Sequence, residues 1–325
     1  MMKKTLSYSL CLSLLASGCS IAKPNSVSTR SSDSPSSTDG KQSVTNNITS
    51  SLQDQIEQIS RDAKGRVGVA VTAIETGESV ALNGKQQFPM QSVYKFPIGM
   101  AVLYQVDRGV LSLEQKVRVT KKDFVTARQH SPIRDNHPQG VELSVLDLLQ
   151  FMVSESDGTA CDVLLGLVGG PEFVTKYLRN LGVNDIVVAN TEKELGQDPR
   201  AQYRNWATPE AMVTLLRALH SGRGLEKRSL ALLLRLMTQT PTGSQRIKGL
   251  LLKGTVVAHK TGSSRTVNGL TSATNDVGLV TLPNGRHLAI AVFVSDSKAD
   301  DSTREKVIAR VARAAWDSWS GQTHK

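Results

Sequence analysis

Apolar residues change their period twice along this chain of 325 residues. Near both ends they read as short β-strands: Gly68 to Ile74 and Val80 to Leu82 at one, Val256 to Lys260, Asp276 to Leu282 and Leu288 to Val294 at the other. Pro283-Asn-Gly-Arg286 supplies the turn between the last two. In between, apolar residues recur at i, i+3 and i+4 over Ser92 to Gly109, Ser144 to Met152, Gly170 to Leu181, Thr208 to Leu219 and Leu225 to Met237, the spacing of helices with one buried face. One more helix, with Leu52, Ile56 and Ile59 on a single face, precedes the first strand, and another, Ser302 to Trp319, follows the last. Strands at both ends and helices between them leave few arrangements. The expected fold class is α/β in an α+β, two-lobe form: the two ends share an antiparallel sheet flanked by helices, and the middle forms an all-helical lobe. The sheet lobe takes about 51–87 and 240–322, the helical lobe about 88–239, within one domain over 51–322. A cleft between such lobes is a natural place for a site.

Residues 1–22 read as an export signal. Lys3 and Lys4 form a positive start, Leu6 to Leu15 a short apolar stretch, and small residues follow. That stretch is too short to span a bilayer. Ala16-Ser17-Gly18-Cys19 is a candidate lipobox, although it lacks the favoured Leu three residues before Cys19. Ser20-Ile21-Ala22 offers ordinary signal peptidase its small-x-small pattern. Either route exports the chain to the periplasm, and the first anchors it to the outer membrane through a lipid on Cys19. Residues 23–50, rich in Ser, Thr and Asn, are expected to be a flexible linker.

A formal net charge of +10 could signal nucleic acid, but the Lys and Arg are scattered and aromatic residues make up only 4% of the chain, so no nucleic-acid partner is expected. The positive field suits small anionic substrates instead. Cys11 and Cys19 fall in the export segment, which leaves Cys161, in an apolar helical run, as a buried inert thiol with no disulfide partner. The six His residues (His130, His137, His220, His259, His287, His324) are dispersed without metal-ligand spacing, so neither a metal nor another cofactor is expected. The domain is expected to act as a monomer on a small molecule.

Three short patterns carry chemistry. Ser92-Val-Tyr-Lys95 has the S-x-x-K spacing at a helix start, where residues three apart share a face and an ammonium reaches a hydroxyl. Ser20-Ile-Ala-Lys23 and Ser295-Asp-Ser-Lys298 match the same pattern, and a helix N-cap would also explain Ser92. Ser156-Asp157-Gly158 follows a helix and could be a simple turn. Lys260-Thr261-Gly262-Ser263 ends a strand, where Gly262 would let a ligand approach the backbone. The conjunction decides, because order and context (helix start, helical-lobe loop, strand edge) are those of the serine β-lactamase and penicillin-binding protein signature.

Over essentially Ser51 to Trp319 the chain resembles class A serine β-lactamases, within them the PER-like and VEB-like extended-spectrum branch. Gln91-Ser-Val-Tyr-Lys95, Ser154-Glu-Ser-Asp-Gly158, Ala189-Asn-Thr-Glu192, Gln202-Tyr-Arg-Asn-Trp206, Thr242-Gly-Ser-Gln-Arg246, His259-Lys-Thr-Gly-Ser263 and Ala273-Thr-Asn-Asp-Val-Gly278 carry the resemblance. It implies that Ser92 attacks a β-lactam carbonyl, its proton passing to Lys95 or, through water, to Glu192, and that Glu192 activates the deacylating water. It further implies an oxyanion hole of the Ser92 and Ser263 backbone N–H groups, proton transfer to the ring nitrogen from Ser156 beside Lys260, and a grip on the substrate carboxylate by Lys260, Thr261, Ser263 and Arg246. Arg265 is near enough in sequence to compete with Arg246. His130 stands where the family usually has an aromatic residue at the substrate mouth.

The pattern also departs from the family's. Gly158 replaces an Asn that would contact the substrate, Gly196 replaces an Asn that anchors the hydrolytic water, and Asp162 replaces another Asn. Asn190 and Asn205 stand in for the Arg–Asp salt bridge that closes the loop from Val187 to Trp206. The Asn190, Asn205 and Asp162 changes are those of the PER-like and VEB-like branch and imply a rearranged loop and a wider cleft, suited to bulky oxyimino-cephalosporins. Gln91 and Ser264 occupy places where some carbapenemases carry a disulfide, so efficient carbapenem hydrolysis is less expected. The alternative activity is a penicillin-binding D-Ala-D-Ala carboxypeptidase or transpeptidase, which shares the three motifs and lacks the loop glutamate. A non-catalytic penicillin sensor on the same fold is a further alternative.

Overall fold

A computed structural model describes residues 38–198 and 200–321, with side chains from Thr49 onward. The export segment, Cys19 and the first part of the expected linker lie outside the described residues. Every contact below lies inside the unit Gly40–Lys325.

Helix α1, Thr38–Ser60, docks through Leu52, Ile56 and Ile59, as its apolar spacing requires. It starts well before Ser51, so residues 38–50, expected as linker, have a helical backbone. Their Ser/Thr/Asn-rich pattern could not show this, since extending a helix already nucleated by packing needs no apolar stripe of its own. The main sheet holds five strands, β1 (Arg66–Ala73), β2 (Ser79–Leu82), β3 (Val257–Ser263), β4 (Thr274–Thr281) and β5 (His287–Ser295). They lie in the order β2-β1-β5-β4-β3, antiparallel throughout. The two ends of the chain thus share one sheet, as the strand pattern requires.

Side chains alternate across this sheet. Val67, Val69 and Val71 of β1 and Leu288, Ile290, Val292 and Val294 of β5 face α1 and helix α10, Asp301–Ser320. Ala70 of β1 and Ala289, Ala291 and Phe293 of β5 face the helices of the middle. Both faces are buried, which is why these strands read as nearly continuous apolar runs.

The middle contributes α2 (Lys95–Asp107), α3 (Pro132–Asn136), α4 (Val145–Val153), α5 (Gly158–Leu167), α6 (Pro171–Asn180), α7 (Glu192–Gln197), α8 (Pro209–His220) and α9 (Lys227–Thr238). From Lys95 to Leu103 every residue of α2 is buried, so it forms the axis around which the others pack. Helix α8 contacts β1 and β5, so it roofs the sheet although its position in the sequence pointed to the helical lobe. The stretch from Val187 to Trp206, expected as a loop, carries α7 and a 3-10 turn at Ala201–Arg204. Its ends are pinned by a small sheet in which Trp206–Ala207 pairs with both Phe88–Pro89 and Ile186–Val187. Among the described residues no helix is long and apolar enough to cross a membrane.

Candidate active site

Ser92 lies in a 3-10 turn, Gln91–Tyr94, that runs directly into α2, so Lys95 is the first α-helical residue. One turn of helix separates the two, and Lys95 Nζ donates to Ser92 Oγ at 2.8 Å, the contact expected from the S-x-x-K spacing. The ammonium also donates to the carbonyl of Ser156 at 3.0 Å and pairs with Glu192 Oε1 at 2.5 Å. Lys95 is only 1% exposed. Burial is the largest single influence and works against its charge, but the charge and hydrogen bond of Glu192, together with neighbours such as Asp157, hold the Lys95 pKa above its ordinary value.

Glu192 is placed by a capping box. Thr191 Oγ1 accepts the Glu194 N–H, and Glu194 Oε2 accepts the Thr191 N–H at 2.8 Å, which starts α7 at Glu192. Asp162 Oδ1 and Oδ2 accept the N–H groups of Glu192 and Lys193 at 2.7 and 3.0 Å. Burial raises the Asp162 carboxyl to a pKa of about 6, against the pull of those two hydrogen bonds. The second oxygen of Glu192 accepts from Gln129 Nε2 at 2.7 Å. Nothing in the sequence marks Gln129, a lone amide in a loop; its role follows from where the loop is held.

Ser156 has a left-handed backbone, φ +62°, which a residue with a Cβ adopts at a cost of about 1 kcal/mol or more. Buried Asp157 fixes this conformation, since its carboxylate accepts the N–H groups of Ala160 and Ile133 and the hydroxyl of Ser131. Ser156 therefore turns its carbonyl to Lys95 and its hydroxyl to Lys260, whose Nζ donates at 2.9 Å. Burial and the nearby Lys95 ammonium push the Lys260 pKa down to about 7. Of the two buried ammoniums, only Lys95 has a carboxylate in contact.

The Lys260–Ser263 segment closes the other wall. A Cβ on Gly262 would sit 2.4 Å from the Met90 carbonyl oxygen and 3.0 Å from the Val93 nitrogen. The glycine expected to admit a ligand instead admits the turn bearing Ser92. Thr261 Oγ1 shares a 2.6 Å hydrogen bond with Thr242, and Asn275 Nδ2 ties the Pro89 and Met90 carbonyls to β4. Arg246 is buried beneath the strand end. It donates to Ser263 Oγ at 2.7 Å and to the carbonyls of Gly262 and Asn275, with Glu305 on its Nε. Exposed Arg265 donates to the carbonyl of Arg128, so of the two arginines Arg246 alone braces Ser263.

His130 is exposed, with its ring against the Glu155 carbonyl at 3.0 Å and its own carbonyl accepting the Gly158 N–H at 2.9 Å. A Cβ on Gly158 would meet that carbonyl at 3.2 Å and Glu192 Cγ at 3.5 Å. A Cβ on Gly196 would meet Thr126 Oγ1 at 2.8 Å, so α7 presses against the 120s loop where the family usually places an Asn. Asn205 clasps the long loop through the backbone of Asn190: its Oδ1 accepts the Ala189 and Asn190 N–H groups and its Nδ2 donates to the Asn190 carbonyl. Asn190 and Asn205 thus meet where the family has its salt bridge, with the Asn205 side chain gripping the Asn190 backbone. Cys161 is buried, donates to the Tyr94 hydroxyl, and has its pKa pushed well above the ordinary thiol value by burial.

An antiparallel sheet against a helical lobe, with a serine, two buried lysines and a buried glutamate at their junction, is the arrangement of class A serine hydrolases acting by acyl transfer. The model of the β-lactamase enzyme family matches residues 51–319, so the chain belongs to that family. It is 42% identical to β-lactamase VEB-1 from Pseudomonas aeruginosa over 83% of this chain and 90% of that one, and 43% identical to the extended-spectrum β-lactamase PER-1 from the same organism over 82% and 86%. Among solved structures, the extended-spectrum β-lactamase TLA-3 superposes with a TM-score of 0.81 at 44% identity, covering 84% of this chain and 99% of the other. A β-lactamase from Chitinophaga pinensis does so with a TM-score of 0.81 at 46% identity, covering 82% and 99%.

Proposed function

We propose that the chain opens penicillins and cephalosporins through an acyl-enzyme on Ser92. The reading rests on one observation: Lys95 Nζ bonds Ser92 Oγ, Glu192 Oε1 and the Ser156 carbonyl at once. With Lys95 held as the cation, the Ser92 proton goes to the Glu192 carboxylate through a water, and Ser92 Oγ attacks the β-lactam carbonyl. Backbone N–H groups of Ser92 and Ser263 stabilise the oxyanion. The C–N bond breaks, and the ring nitrogen takes the Ser156 proton, which Lys260 replaces. The proton that Glu192 took from Ser92 then passes back through water and Ser156 to Lys260, which restores the Glu192 carboxylate and the Lys260 ammonium; Glu192 next deprotonates the water that attacks the ester, and Ser92 leaves with that proton. Lys260, Thr261 and Ser263 bind the substrate carboxylate, with Arg246 acting through Ser263.

The buried Glu192 also favours hydrolysis over the D-Ala-D-Ala peptidase reading, which has no carboxylate in that place. Glu192→Ala should leave a stable acyl adduct on Ser92, seen as added mass with penicillin, with nitrocefin turnover down by about 10³-fold or more, the scale of losing a general base together with its water. Undiminished turnover would overturn the assignment, and a wild-type protein that gives only a stoichiometric burst would favour the peptidase. The Asn205 clasp on Asn190 and the grip of Asp162 on the start of α7 support a rearranged loop and a cleft open to oxyimino-cephalosporins. Cefotaxime left intact by an enzyme that turns over penicillins would refute that breadth. The sequence of residues 1–22 supports export to the periplasm, with Cys19 as the lipid attachment point; the domain is taken to act there as a monomer. Fractionation and fatty-acid labelling of wild type and Cys19→Ala test this.

A further inference from the structure

Glu75, His220 and His287, scattered in sequence, meet at the end of the main sheet away from Ser263. Glu75 lies in the turn between β1 and β2, His220 ends α8 and His287 begins β5. His287 stands seven residues along β5 from Val294, whose row holds Ser263, about 23 Å at the ordinary rise of a strand. One ligand atom from each of the three lies within 4.8 Å of the other two, and among the described residues no other three His, Cys, Asp or Glu converge in this way. Glu75 Oε1 is 2.7 Å from His287 Nδ1 and 4.0 Å from His220 Nε2, and the two imidazole centroids are 4.5 Å apart. The backbone N–H of His287 holds the other Glu75 oxygen at 2.9 Å, which leaves Oε1 turned toward the imidazoles.

We propose that Glu75, His220 and His287 form a binding site for a divalent transition-metal ion of the zinc type. Two imidazole nitrogens and one carboxylate oxygen suit Zn²⁺, Ni²⁺ or Cu²⁺, whereas Mg²⁺ and Ca²⁺ take oxygen donors. Bonds of about 2.1 Å place tetrahedral ligand atoms about 3.4 Å apart. The Glu75–His287 pair must therefore open, and the Glu75–His220 pair close, by well under 1 Å, while the two imidazole nitrogens, within 4.8 Å of each other, close by at most about 1.4 Å. The histidines are half-buried and Glu75 is exposed, so side-chain rotation supplies that movement. Three protein ligands leave a fourth position for water. The ion would clip a turn, a helix end and a strand start that no covalent link joins.

The test uses the exported protein without a polyhistidine tag, titrated with ZnCl₂ and, separately, MgCl₂, by calorimetry and thermal unfolding. One Zn²⁺ should bind, raising Tm by about 5 °C at a hundredfold excess over Kd, with no response to Mg²⁺. His220→Gln and His287→Gln should each weaken Zn²⁺ at least tenfold while leaving nitrocefin turnover and far-UV circular dichroism unchanged. Cu²⁺ bound to the wild type should show coupling to two imidazole nitrogens. Failure of wild type to bind one Zn²⁺, or binding undiminished in both variants, would overturn the proposal. Loss of β-lactam turnover in wild type would strike the catalytic reading alone.

Discussion

Lys95 and Lys260 share Ser156 between them, one on its carbonyl and one on its hydroxyl, yet they carry opposite shifts because only Lys95 has a carboxylate in contact. With its pKa near 7, Lys260 is a cation below that pH and loses its charge as pH rises through it. The cation attracts the substrate carboxylate, so kcat/KM should fall on the alkaline side with an apparent pKa near 7. The matching limb in kcat should lie higher, because bound substrate favours the charged form. Lys260→Arg, always charged, should lose that limb even if it turns over slowly; an unchanged profile would move the titration elsewhere. The pairing of Ser92 with Lys95 was legible in sequence, because helix geometry converts a spacing of three into a contact. Gln129 on Glu192 was not, since it depends on how two distant loops are pressed together.

The loop from Val187 to Trp206 shows what an aperiodic stretch hides. Thr191-Glu-Lys-Glu194 is a T-x-x-E capping box, a local signal for a helix start that a search for apolar period passes over. It fixes Glu192 in the first turn and turns Glu194 back to the Thr191 backbone, which separates two glutamates that the residues alone leave equivalent. Asn205, with three hydrogen bonds to the backbone on the far side, is the clasp of the element. Removing it strands the buried N–H and carbonyl of Asn190 and frees the N–H of exposed Ala189, so Asn205→Ala should cost about 2–4 kcal/mol by denaturant unfolding. It should also slow deacylation more than acylation, so that acyl-enzyme accumulates in the steady state. Unchanged stability would mean that the small sheet at the loop's ends holds it without the clasp.

In the whole molecule, two cores lie on opposite faces of one sheet, and the catalytic residues border only the one shared with the middle helices. Trp319 of α10 is fully buried in the other core, with its indole N–H on Glu78. Trp319→Ala should cost about 3–5 kcal/mol of stability and leave kcat per folded molecule unchanged, measured by urea unfolding and by active-site titration. A proportional loss of kcat would mean that the two faces are mechanically coupled. The two-lobe plan was readable because strand and helix periods differ. That α8 roofs the sheet was not, because its apolar stripe is the same whichever layer it covers. Strand β1 finds its neighbour β5 more than two hundred residues further on, Arg66 against Ser295. The sheet therefore cannot close until nearly the whole polypeptide has left the ribosome. A chain whose first strand must wait for its last stays threadable through most of its synthesis, the condition that the export proposed above would require.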